Sequence, residues 1–87
     1  MPSQRLFSLP MLPFVGIHPA QITQSREVLI HGDRYFDCSI VLETEGGGEG
    51  TRANLRVAAH AAKVPLEPGA LVRIRFILGQ ADEIMAR

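Results

Sequence analysis

Between Arg34 and Thr44 the side chains follow a period of two: Phe36, Cys38, Ile40 and Leu42 share one parity, and Tyr35, Asp37, Ser39, Val41 and Glu43 share the other. A helix needs apolar residues three and four apart, whereas an extended chain sends successive side chains to opposite faces, so this run is a half-buried strand. The same signature recurs twice. Ala53, Leu55, Val57 and Ala59 oppose Arg52, Asn54, Arg56 and Ala58, and Val72, Ile74, Phe76 and Leu78 oppose Arg73 and Arg75. Arg26, Val28 and Ile30 share a parity ahead of His31-Gly32-Asp33, a tight-turn signal, and Glu83-Ile84-Met85 fits either a short last strand or a helical turn. Glu45 to Gly50 holds four glycines and reads as a hairpin loop, and Pro68-Gly69 as a turn. VAAHAAK at 57–63 is open between strand and a short helix, its alanines being strong helix formers, and is ended by Val64-Pro65. The expected fold is all-β: four or five short strands, with at most one short helix, closed into a small barrel. Closure is expected because an open sheet of short strands leaves two unpaired edges.

Eighty-seven residues suffice for one domain. Pro2, Pro10, Pro13 and Pro19 interrupt an apolar start that includes Leu6, Phe7, Leu9, Met11, Leu12, Phe14, Val15 and Ile17. Because proline fixes φ and lacks a donor, residues 1–19 are expected to form an extended arm and not a helix or central strand, with the barrel spanning 20–87. A chain this short buries a small share of its unfolded surface, which makes self-association or a partner protein, contacted through residues 6–17, the expected source of further burial. No apolar run approaches the roughly 18 residues that cross a bilayer, and the N-terminus lacks the pattern of a signal peptide. A cytoplasmic protein with no membrane partner is expected. One cysteine, Cys38, rules out an internal disulfide framework, and its apolar parity makes it a core residue.

Nine basic residues balance nine acidic ones, which excludes a generally basic nucleic-acid coat. Eight of the nine basic residues are arginine, and Arg52, Arg56, Arg73 and Arg75 stand on the polar parities of two strands expected to be neighbours. Guanidinium groups grip phosphate bidentately and stack on bases, and Tyr35 adds a stacking ring on the preceding strand. The competing reading is a solvated face whose arginines pair with Asp37 and Glu43 across strands. His18, His31 and His60 have no metal-ligand spacing, so no metal or cofactor is expected. Asp37 and Glu43 are too far apart for a catalytic pair, and Asp82-Glu83 in an extended segment point apart. An enzyme is therefore not expected. The glycine run lacks the lysine and hydroxyl residue of a P-loop.

The order of parts, RYFDCSIVLE, a loop, TRANLRVAAH, a short alanine-rich link and LEPGALVRIRFIL, resembles the middle of OB-fold single-stranded DNA-binding proteins over about residues 26–78. Those proteins open a strand after the link with a G-x-x-V-x-V pattern, matched here by Gly69, Val72 and Ile74. The resemblance implies an all-β fold, a small five-stranded OB-like barrel with an SH3-like barrel as the competing topology, that binds single-stranded nucleic acid without catalysis. Its members usually present several aromatics; here Tyr35 alone is well placed among the strands, with Phe7 and Phe14 in the arm as outside candidates. Two functions are thus expected in parallel: a nucleic-acid-binding module using Arg52, Arg56, Arg73, Arg75 and Tyr35, or an assembly subunit using the arm and the sheet edges.

Overall fold

A computed structural model describes residues 15–43 and 50–87. The arm up to Phe14 and the loop at 44–49, with Phe7, Phe14, Glu45 and Glu49, lie outside the described residues. The chain is all-β. Its five strands, β1 (Val15–Ile30), β2 (Asp33–Leu42), β3 (Thr51–Ala58), β4 (Leu71–Ile77) and β5 (Gln80–Ala86), form one antiparallel sheet in the order β3-β2-β1-β4-β5.

With no second layer among the described residues, the sheet buries its apolar face by curling around it. Ile22, Ile40, Val57, Val72, Ile74, Phe76 and Ile84, drawn from all five strands, are fully buried together. Cys38 belongs to this core, and burial pushes its thiol pKa up. The alternation read for β2, β3 and β4 thus holds, with one parity inside and the other outside.

The sheet is open: β3 and β5 are its edges, and no ladder joins them. The closed barrel expected from edge avoidance is replaced by a local plug. After Ala58 the alanine-rich link makes a 3-10 turn at Ala59–Ala61, which brings Ala62 into a single parallel bridge with Ile84 and lets the Lys63 N–H donate to the Ile84 carbonyl at 2.8 Å. Alanine makes this possible because a methyl group fits between two strand ends where a larger side chain would hold them apart.

β1 is the shared spine. Its first half (15–21) pairs with β4 and its second half (20–30) with β2. Pro19 therefore lies within a strand, against expectation. The physical reason is its place at the end of the β1–β2 ladder: its carbonyl accepts the Glu43 N–H at 3.0 Å, so its missing donor removes only the last rung. Two bulges reset the parities. One extra residue at Thr23 separates Ile22↔Ile40 from Gln24↔Ser39, so Ala20 and Ile22 point inward but Gln24, Arg26 and Val28 point outward. A second, at Asp82, separates Arg75↔Glu83 from Phe76↔Ala81.

The β1–β2 hairpin turns on His31 and Gly32, both at positive φ, as its right-handed twist requires. Gly50 is demanded by space and not by φ. A Cβ there would lie 2.3 Å from the Leu42 carbonyl oxygen and 2.4 Å from Val41 Cγ1, where β3 begins beside the end of β2.

Candidate nucleic-acid interface

The outer face of the sheet divides into two flanks. On the flank made by β3, β2 and the second half of β1, cross-strand neighbours line up in polar rows. Arg56, Asp37 and Arg26 form one row, Asn54, Ser39 and Gln24 the next, and Arg52, Val41 and Gln21 the third. The first two rows, together with Ser25, Cys38 and Leu55 between them and Pro68, line an open depression of about 790 Å3.

Asp37 is the electrostatic centre of the first row. Arg56 Nε and Nη2 donate to its two carboxylate oxygens at 2.6 and 3.0 Å, a bidentate pair. That hydrogen bond, reinforced by the charges of Arg56 and Arg26, holds the Asp37 carboxyl below its usual range. Arg56 thus binds the carboxylate, while Arg26, the cross-strand neighbour of Asp37 on the other side, acts on it through charge alone and forms no salt bridge among the described residues. In the second row Ser39 Oγ donates to Asn54 Oδ1 at 2.9 Å, which leaves the Asn54 amide nitrogen outward as a donor.

Arg73 and Arg75 are elsewhere. They stand on β4, and the sequence-based expectation that their strand adjoins that of Arg52 and Arg56 is corrected by the strand order: β2 and β1 intervene. Three strand spacings amount to about 14 Å along a sheet. Arg75 is also neutralised. It binds Asp82 through Nε at 2.8 Å and through Nη2, and Nη2 reaches Glu83 at 3.0 Å. The bulge at Asp82 is what lets consecutive acids converge on one guanidinium, where an unbroken strand would have pointed them apart. Arg73 is exposed beside Pro19 and Met85.

Of the five residues singled out in the sequence, the structure brings Arg52, Arg56 and Tyr35 onto one flank and leaves Arg73 and Arg75 on the other. Tyr35, half-buried, sits one row beyond Asp37, between Val28 and Ala58. The competing expectation of cross-strand pairing holds for Arg56 with Asp37, while Glu43 pairs with Arg87 at 2.7 Å. Parity alone misses Arg26, because in sequence it runs in step with the inward residues of β1; only the bulge at Thr23 turns it out.

The second flank, formed by the first half of β1 with β4 and β5, exposes Val15, Ile17, Leu71, Ile77 and Leu78. Among the described residues no three His, Cys, Asp or Glu side chains cluster to hold a metal ion, and no helix is long and apolar enough to cross a membrane. In comparisons with known proteins, the chain matches no family model, no curated protein and no solved structure.

Proposed function

We propose that this protein is a non-enzymatic single-stranded nucleic-acid-binding module whose binding surface is the outer face of β1, β2 and β3. The observation that supports the reading is the cross-strand row Arg56–Asp37–Arg26, in which a single carboxylate stands between two arginines, beside amide and hydroxyl donors and Tyr35, along an open depression. A phosphate approaching this row meets two guanidinium groups and one carboxylate, a local excess of one positive charge in a chain of zero net charge. Side-chain amides of Gln24 and Asn54 supply further donors, and Tyr35 supplies a ring for a base. The five-stranded, incompletely closed sheet agrees with the resemblance to OB-fold binding proteins, a fold that is itself a partly open barrel using the face of its second and third strands.

Fluorescence anisotropy with labelled oligo-dT tests it. Replacing both Arg26 and Arg56 by Ala is expected to weaken binding by roughly tenfold or more. The same change should reduce the log–log salt slope by about 0.7 for each phosphate that the variant no longer neutralises. Unchanged affinity in that double variant contradicts the proposal.

A second reading, an assembly subunit, is favoured by the exposed Val15, Ile17, Leu71, Ile77 and Leu78 on the opposite flank. It requires that sedimentation of the full chain show an associated species that Ile17→Ser with Ile77→Ser disperses. A chain that is monomeric at high concentration rules it out. Because the two surfaces lie on different flanks, both readings can hold in one molecule.

A further inference from the structure

β3 parts from β2 at the Tyr35–Ala58 pair, and the 3-10 turn then carries the chain toward β5. The first residues of β2, Asp33 and Arg34, consequently have β1 on one side and, among the described residues, no strand on the other. A groove of about 830 Å3 separates this overhang from the link. Ala58, Ala59 and Ala62 contribute only methyl groups to its lining, which leaves room for a flat ring. Phe36 and Leu66, packed against the core, close its inner end, and Tyr35 lines its mouth.

Charge is distributed unevenly along this groove. On the link side His60 and Lys63 are exposed, and among the described residues Lys63 forms no salt bridge. On the hairpin side Arg34 is held by Glu27, and Asp33 adds a negative charge. An anionic group is therefore drawn to the link side and repelled from the hairpin side.

Resting on the nucleic-acid reading, we propose that this groove is a second subsite that takes one nucleotide of the same strand, with its base against Tyr35 and its phosphate at Lys63 and His60. The Tyr35 row adjoins the Asp37 row, about 7 Å along β2, so the groove continues the path of the polar rows around the end of the sheet. The asymmetry of charge gives the path a direction: the backbone runs along the link and the base points toward the hairpin.

Tyr35 is the only tyrosine and there is no tryptophan, so tyrosine emission reports from the groove itself. The experiment titrates the full chain with dT12 at two salt concentrations, recording anisotropy and tyrosine emission, for the wild type, for Lys63→Glu with His60→Ala, and for Arg26→Ala with Arg56→Ala. Binding is expected to quench the wild-type emission. The Lys63/His60 variant should bind roughly fivefold to tenfold more weakly, the scale of one stacked and phosphate-held nucleotide, with an unchanged melting temperature. Binding that needs Arg26 and Arg56 but is unaffected in the Lys63/His60 variant overturns the groove and spares the polar rows. Absence of any dT12 binding by the wild type at low salt overturns both.

Discussion

The two flanks of this sheet are built from the same strand, β1, yet they present opposite chemistry. Where β1 pairs with β2, its outward residues are Gln24, Arg26 and Val28, facing Ser39, Asp37 and Tyr35; where it pairs with β4, they are Val15, Ile17 and Pro19, facing Ile77, Arg75 and Arg73. Arginine occurs on both, but its partners differ. On the first flank one carboxylate stands between two guanidinium groups, so positive charge is left over. On the second, two carboxylates close on Arg75, and charge is consumed. Counting arginines therefore says little about anion binding, whereas counting the carboxylates within reach of each says much. The division sets a polar outer surface on one flank of a small sheet apart from an exposed apolar surface on the other.

The largest effect is expected where the flanks share a core. Phe76 is fully buried on β4, and Phe76→Ala should cost about 3–5 kcal/mol. If the sheet is one cooperative unit, chemical denaturation followed by Tyr35 emission, on the polar flank, and by far-UV circular dichroism should move together; separate transitions would break the molecule into two units. Next comes Gly50→Val, which places atoms against the Leu42 carbonyl and Val41. It should destabilise by roughly 1–3 kcal/mol, the usual scale of overpacking, and Gly50→Ala by less, read as shifts in the denaturant midpoint.

Smaller effects sharpen the contrast in charge. Asp37→Asn releases Arg56 and should strengthen oligo-dT binding and steepen its salt dependence by up to about 0.7. Asp82→Asn, on the other flank, should leave both unchanged. The smallest effect concerns acid. Because the hydrogen bond from Arg56 keeps the folded-state pKa of Asp37 below its unfolded value, the pair contributes its full stability above the ordinary carboxylate range of about 4 and loses it as pH falls through the folded value. Stability measured between neutral and acid pH should fall less steeply in Asp37→Asn than in the wild type.

Much of the fold was legible because side-chain alternation is a local signal. The runs Tyr35–Leu42, Arg52–Ala58 and Val72–Ile77 became strands with the expected faces inward, and Cys38 entered the core. What escaped was set by single inserted residues and by pairing. Nothing in the local composition around Thr23 or Asp82 marks a bulge, yet the first turns Arg26 outward and the second lets Asp82 and Glu83 share Arg75. The separation of Arg73 and Arg75 from Arg52 and Arg56 is likewise a property of strand order, which alternation does not encode. Pro19 misled for a related reason: its cost depends on whether a partner strand still runs beside it, and β2 ends there. The alanines at 58–62 were ambiguous between strand and helix because their role is spatial, to let a tight turn plug the gap between β3 and β5.

Oligo-dT anisotropy at two salt concentrations, run side by side on Arg26→Ala/Arg56→Ala and Arg73→Ala/Arg75→Ala, tests the asymmetry of the flanks most directly. The first pair should weaken binding by roughly tenfold or more and flatten the salt dependence, while the second changes affinity by no more than about twofold. Equal losses from the two pairs, or a larger loss from the β4 pair, would contradict it.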